Sequence, residues 1–356
     1  MFIDNNFLLI VCLTSVITLI TTLCIIPFAV KIGLVDKPGG RKKHHGNIPL
    51  IGGISIYIVL CVITILSAYL NFFSQIVLAV SSILILVGLV DDLRDIRPIY
   101  KLYAQVLAAL LVMGLTGIHI EEIAYLQNGK VLSFYEFGYL ITIIAVVGLI
   151  NAFNMMDGID GLASIQAILS IIFIFASSFL LNFKLSDDVF LVLLFSCLIG
   201  FLFLNLNLIP KSKVFLGDAG SMFLGFCVAW TIINNTQIHN GERLPPSIAL
   251  WLVAVPVTDT IVISLRRMLL NRSPFSPDRK HLHHICIRLG LSSSKTLILI
   301  STISVFSYTI GLLIYFLFGE IASILIFFVM VFFYYFAIKK IWRISSKFRK
   351  IGIKHF

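Results

Sequence analysis

Apolar runs long enough to cross a bilayer recur along the whole chain, and they constrain the fold more than any other feature. Phe7 to Val30, Leu191 to Leu208 and Ile321 to Ile338 are examples. A helix crosses the hydrocarbon core with roughly 20 apolar residues. Inside that core each backbone polar group must be satisfied within the protein, which a helix does within its own length. Only 12% of the residues are charged, about half the share in soluble domains, so a soluble fold lacks the polar surface it needs. The expected fold class is an all-α polytopic membrane protein embedded in a lipid bilayer.

Run length marks about eleven spans, near 7–31, 51–70, 74–91, 100–117, 137–154, 161–181, 188–208, 217–235, 247–266, 297–317 and 320–338. Alternating the connecting loops between two sides puts 24 of the 27 basic residues on one side and leaves Lys130, Lys184 and Arg243 on the other. The rich side is cytoplasmic by the positive-inside rule. The N-terminus is then expected outside and the C-terminus inside. The expected organisation is one transmembrane catalytic domain over 1–340 and a basic cytoplasmic tail over 341–356. Met1 to Val30 reads as the first span, since no basic residue precedes its long apolar run and no small-residue cleavage site closes it.

The net charge of +10 is explained by this topology and by anionic lipid, so no nucleic-acid partner is expected. Five of the six cysteines lie inside apolar runs, where a thiol acts as a small hydrophobe. Neither disulfides nor a cysteine metal site is expected. In the longest outer loop, Asn128-Gly129 sits between short apolar stretches and suits a small hairpin.

Polar chemistry concentrates in five clusters on the basic side. Val35 to Gly53, "VDKPGGRKKHHGNIPLIGG", offers glycines with Lys43 and His45. It reads either as an anion-binding turn or as a topogenic basic loop. "GLVDDLRDIRP" places Asp91 and Asp92 at the end of a span. Ionisable groups at membrane depth are costly and point to function, although a boundary aspartate can also be a solvated helix end. Adjacent side chains leave a helix on different faces, so the two need not share a partner. Lys101, at the start of the next span, either faces the same cavity or snorkels to the interface.

In "NAFNMMDGIDGLA", Asn154, Asp157 and Asp160 recur at spacing three, on one face if the stretch is helical. An Asx-rich turn is the other reading. Gly158 and Gly161 allow close approach. In "KVFLGDAGSMFLGF", Asp218 opens a span between Gly217 and Gly220, as either a helix cap or a ligand for a hard cation. The last loop, "RRMLLNRSPFSPDRKHLHHICIRLG", brings Arg266, Arg267, Arg272, Arg279 and Lys280 together with His281, His283 and His284. Such groups grip a diphosphate and hydrogen-bond a sugar. Asp259, in the body of the ninth span, either orients this loop from below or pairs with a buried partner. Acidic sites opposite basic clamps are what phosphoryl transfer needs, because charge spreading over phosphate oxygens must be neutralised.

On these residues, from Val35 to about Leu291, the chain resembles the polyprenyl-phosphate N-acetylhexosamine-1-phosphate transferases. The form "SPFSPDRKHLHH" is similar to the bacterial branch that loads undecaprenyl phosphate with N-acetylglucosamine-1-phosphate to begin O-antigen or enterobacterial common antigen. Leu282 interrupts the three successive histidines usual in the peptidoglycan branch. The resemblance implies a helical bundle with its active site in a cytoplasmic cleft of the bacterial inner membrane, often as a homodimer. It implies catalytic roles for Asp91, Asp92, Asp157 and Asp160, a place near the diphosphate for Lys101, and a magnesium site at Asp218 with Asn154. His281, His283 and His284 would lie near the sugar nucleotide, with Arg267, Arg279, Lys43 and His45 as further substrate contacts. The implied reactants are UDP-N-acetylglucosamine and undecaprenyl phosphate, with Mg2+ as cofactor and Mn2+ able to substitute.

Two other classes compete. A transporter also buries ionisable groups, usually near the midplane on broken helices in repeated halves, whereas only Asp259 lies deep here and no repeat is visible. A membrane scaffold would leave the acidic clusters unexplained.

Overall fold

The structure is a computed structural model and describes residues 7–37, 46–67, 70–125, 131–237, 243–271, 273 and 280–350. Its elements run α1 (Phe7–Ile32), β1 (Val35–Asp36), β2 (Ile48–Pro49), α2 (Gly52–Ser67), α3 (Phe72–Arg94) and α4 (Pro98–Thr116). After these come β3 (Glu122–Tyr125), β4 (Val131–Ser133), a 3-10 turn (Tyr135–Phe137), α5 (Gly138–Met156), α6 (Leu162–Leu181) and α7 (Asp188–Asn205). The chain ends with α8 (Gly217–Gln237), α9 (Pro246–Leu252), α10 (Ala254–Met268), α11 (Leu282–Arg288) and α12 (Ser293–Lys350). All eleven expected segments coincide with helix, and among the described residues seven helices are long and apolar enough to cross a membrane, or eight if one bent pair is a single span. The chain is thus an all-α multi-pass membrane protein.

Two segments differ from straight spans. The run expected at 247–266 is broken between α9 and α10 by 81°. Pro256 has no N–H to give the Leu252 carbonyl one turn earlier. That carbonyl instead lies 3.1 Å from the Ser170 hydroxyl, a replacement that makes a break tolerable in lipid. Within α12, Gly319 adopts φ 79° and ψ −174°, a left-handed conformation that favours glycine, and it divides the runs expected at 297–317 and 320–338. The final helix then runs on to Lys350, into the basic tail.

Two compact units emerge. The first comprises residues 1–118 and 185–231, and the second comprises 119–184 and 232–356. In the first, α1 packs on α7 and α2. Thr14, Thr18 and Thr22 form its buried stripe, with Thr18 and Thr22 hydroxyls donating to carbonyls four residues back at 2.8 and 2.7 Å. Small or self-satisfied residues face protein while Leu9, Leu13 and Ile17 stay exposed, the arrangement expected where lipid gives no hydrophobic drive between helices. Strands β1 and β2 pair antiparallel, bracketing the basic loop. The Gly52 and Gly53 amides then donate to the Phe215 and Leu216 carbonyls at 2.9 and 3.0 Å, which ties the start of α2 to the entry of α8.

In the second unit, β3 and β4 form the expected hairpin, although Asn128 and Gly129 lie outside the described residues. Buried polar pairs join its helices. Ser304 donates to Gln166 at 2.8 Å, and the Trp251 indole donates to Ser323 at 3.0 Å.

Gly53 sits against the Gly220 backbone, where an added methyl would overlap Cα. Gly53→Ala is therefore expected to destabilise the protein by about 1–3 kcal/mol, the usual range for overpacking. Thermal unfolding in detergent checks this, and an unchanged midpoint would show that the contact gives way freely.

Candidate active site

Two separate constellations of polar side chains form, one in each unit. In the first, α3 ends at Arg94 with Asp95 as a left-handed cap, and Pro98 starts α4. This tight turn places Lys101 one helix turn into α4, beside the end of α3. Its ammonium donates to Asp91 Oδ2 at 2.7 Å and to Asp218 Oδ2 at 2.8 Å. The Ile96 amide donates to the other Asp91 oxygen at 2.9 Å. Asp91 is buried, whereas Asp218 remains about one-third exposed. Lys101 thus faces the acidic cluster and does not merely snorkel.

Asp92 has a different partner. Its carboxylate accepts the Asp218 amide at 2.9 Å and the Ala219 amide at 3.3 Å, capping α8 from another helix. Carboxylates near a helix N-terminus satisfy orphan donors and suit its positive end. Gly217 has φ 76°, and a side chain there would overlap the Asp92 carboxylate. Gly88, one turn before Asp91, lets α3 touch the Ala219 backbone. The two aspartates therefore do separate work: Asp91 shares a cation with Asp218, and Asp92 holds Asp218 in place.

In the second unit the expected helical face of Asn154, Asp157 and Asp160 does not form. Helix α5 stops at Met156, Asp157 is non-helical at φ −76° and ψ 45°, and Gly161 is left-handed at φ 77°. Asn154 is therefore on the last turn of α5, with Asp157 and Asp160 on the following turn. Left-handed Gly161 then caps the start of α6. Gly158 permits contact: a methyl group there would overlap the His283 ring.

His283 is almost wholly buried. Burial, with His284 and His281 adding to it, pushes its pKa well below the ordinary histidine value. It is neutral at pH 7, so one ring nitrogen donates and the other accepts. Among the described residues neither nitrogen has a hydrogen-bond partner, and Nε2 is the ring atom nearest Gly158 in the Asp157–Asp160 turn. The His284 ring lies 4.1 Å from that of His283.

His281 is fixed more firmly. Its Nδ1 lies 2.7 Å from Asp259 Oδ2, and its Nε2 lies 3.4 Å from the Arg267 guanidinium. The carboxylate can only accept and the guanidinium can only donate, so the proton is on Nδ1. Asp259 Oδ1 accepts from the Leu282 amide at 3.1 Å and from the Tyr334 hydroxyl at 2.8 Å. Asp259 thus anchors the start of α11 from the span beneath it. Lys43, His45 and Arg279 lie outside the described residues. No group of three or more His, Cys, Asp or Glu side chains with metal-ligand geometry occurs among the described residues.

A sequence model described as Glycosyl transferase family 4 matches residues 74–236. A protein of Haemophilus influenzae named undecaprenyl-phosphate alpha-N-acetylglucosaminyl 1-phosphate transferase is 37% identical, covering 93% of this chain and 94% of its own length. Proteins with the same name from Salmonella typhi and Escherichia coli are 35% and 34% identical, each covering 91% of this chain and 88% of their own. The chain belongs to the family of these transferases. The family 4 match contains Asp91, Asp92, Lys101, Asn154, Asp157, Asp160 and Asp218 but stops before Asp259 and the histidines.

Tyr334 carried no signal in sequence, because one tyrosine among many apolar residues of a span looks like packing. Asp259 carried one, a lone carboxylate inside an apolar run. Asp259→Asn puts an NH2 against at least one of three donors and leaves a buried mismatch, which costs about 1–3 kcal/mol. Amide exchange across Leu282–Arg288 is expected to speed by roughly tenfold or more as local opening becomes easier. Unaltered protection there would mean that α11 is held by packing alone.

Proposed function

We propose that this chain transfers N-acetylglucosamine-1-phosphate from UDP-N-acetylglucosamine to undecaprenyl phosphate, giving undecaprenyl-diphosphate-N-acetylglucosamine and UMP. The observation that carries the reading is the convergence of Asp91 and Asp218, from different helices, on one cationic point at the Lys101 ammonium. Support comes from relatives of nearly full length whose names state an undecaprenyl phosphate acceptor and an N-acetylglucosaminyl 1-phosphate group.

In the proposed reaction an oxygen of the lipid phosphate attacks the β-phosphorus of the nucleotide sugar. The bond from that phosphorus to the bridging oxygen breaks, and UMP leaves with the bond electrons. The lipid phosphate is already an anion near neutral pH, so Asp91 steers more than it deprotonates, and orientation supplies much of the rate. Lys101 neutralises the diphosphate, being within reach of both carboxylates and able to turn between them and a phosphate. Asp92 keeps the Asp218 backbone in register. Asp157, Asp160, His283 and His284 are assigned to the sugar nucleotide, with Asp259, Tyr334 and Arg267 positioning His281.

Magnesium is the proposed cofactor, with manganese able to substitute. Two carboxylate oxygens meeting one positive charge suit a hard cation, which is usually held by one or two carboxylates plus substrate phosphates. Asp218 is the proposed principal ligand, and Asn154 keeps the role that the family resemblance assigns it. When bound, the cation would screen the diphosphate and stabilise the leaving phosphate. The proposed setting is the bacterial inner membrane with eleven spans, the N-terminus outside and both constellations cytoplasmic. The product would begin a lipid-linked surface polysaccharide. Asp259 on a broken helix is the one transporter-like feature, and its three hydrogen bonds to α11 and α12 account for it structurally.

The test is label transfer with purified protein, sugar-labelled UDP-N-acetylglucosamine, undecaprenyl phosphate and magnesium. Label is expected in the lipid phase with equimolar UMP, abolished by EDTA. Asp218→Asn is expected to lower kcat by about a hundredfold or more, as for loss of a main electrostatic group. Release of UDP would instead mean glycosyl transfer, and uptake into vesicles without lipid product would revive the transporter.

A further inference from the structure

Arg266 and Arg267 are neighbours in sequence, but the structure gives them different surroundings. Arg267 turns inward to His281. Arg266 lines a cavity of about 330 Å3 together with Leu269, Leu270, Tyr335, Lys339 and Trp342. The cavity lies in the second unit, between the end of α10 and the later half of α12. None of the acidic or histidine residues assigned to the reaction lines it.

Its composition is that of a membrane–water boundary. Arg266 is on the last turn of α10, and Lys339 is where the apolar run Ile321–Ile338 passes into basic residues. Leu269 is 71% exposed and Leu270 is 53% exposed, leaving an apolar rim beside two cations. Tyr335 and Trp342 are the amphipathic rings favoured at that depth. A wall that is apolar along one side and doubly cationic at the other matches an amphiphile with a negative head, and basic pockets between membrane helices are known to take such heads.

We propose that this cavity binds an anionic diacyl phospholipid, its phosphate between Arg266 and Lys339 and its chains along Leu269 and Leu270. The occupant is a bulk phospholipid and not the reacting lipid, because among the described residues no carboxylate and no histidine lines the cavity. Its position also gives it a consequence. The Trp342 ring, one wall of the cavity, carries the Arg288 guanidinium 4.1 Å and the Lys280 ammonium 5.2 Å from its centroid. These residues flank the histidine helix α11 at its two ends. Trp342 also packs on the apolar cluster of Leu282, Ile285 and Ile338 that supports that helix. A lipid that immobilises Trp342 therefore steadies α11.

The test uses tryptophan quenching by phospholipids brominated near the headgroup, in vesicles that contain the full-length protein. The chain has three tryptophans, and Trp230 and Trp251 are buried in the core. Brominated phosphatidylglycerol is expected to quench at about tenfold lower mole fraction than brominated phosphatidylcholine, given two cations near the head. Trp342→Phe should remove the selective component, and Arg266→Gln with Lys339→Gln should make the two lipids equivalent. Equal quenching of the wild type by both lipids would overturn the proposal. So would selectivity that survives the double substitution, or quenching selective only for brominated polyprenyl phosphate, which would place the reacting lipid there. Should the double variant misfold, the wild-type comparison together with Trp342→Phe still decides.

Discussion

Carboxylates brought together at a poorly hydrated helix end repel one another and lose hydration, so they persist as anions only around a cation. Lys101 supplies that cation for Asp91 and Asp218, at 2.7 and 2.8 Å. Much of the local architecture serves this meeting. The Asp95 turn and Pro98 bring α4 back beside the end of α3. Gly88 removes the side chain that would keep α3 from Ala219, and Asp92 ties the first amides of α8 to α3. The start of α2 is fastened to the same place by hydrogen bonds from Gly52 and Gly53. Lys101 thereby offsets part of the negative charge that the two carboxylates bring to this point.

The second unit solves a different problem, how to aim imidazoles at the end of a membrane helix. A loop alone leaves such rings mobile. Here a carboxylate inside the span, Asp259, binds one ring and the first amide of the short helix, and Tyr334 braces the carboxylate. The price in the helix is the break at Val253 and Pro256, with the freed carbonyl reached by Ser170. Position thus passes from a rigid buried anion to His281, and along one helical turn to His283 and His284. The neutral His283 turns Nε2 toward Gly158, in the turn that carries Asp157 and Asp160, and among the described residues neither of its ring nitrogens is hydrogen-bonded.

Much of this was legible before any coordinates. Apolar run length located the helices because lipid leaves few other ways to satisfy a backbone. The five polar clusters stood out because charge at membrane depth is expensive. The difference in role between Asp91 and Asp92 was only partly visible: their adjacency implied different faces, but not that Asp92 caps a helix 126 residues away. Spacing misled at Asn154, Asp157 and Asp160, because α5 stops at Met156 and a non-helical turn leads to Gly161 at the start of α6. Pro256 and Gly319 interrupt the backbone without shortening an apolar run, so run length does not show these bends. Arg266 and Arg267 were indistinguishable as neighbours, because only the direction of α10 turns one to the histidines and the other to the cavity.

We propose that a divalent metal is held at the cationic point between Asp91 and Asp218. Manganese binding to the purified protein, followed by loss of the free-ion electron paramagnetic resonance signal, tests it without relying on turnover. One site per chain is expected in the wild type, displaced by magnesium, with affinity at least about tenfold weaker in Asp218→Asn, as for loss of a charged ligand. Full-affinity binding by the variant, or none by the wild type, would contradict it.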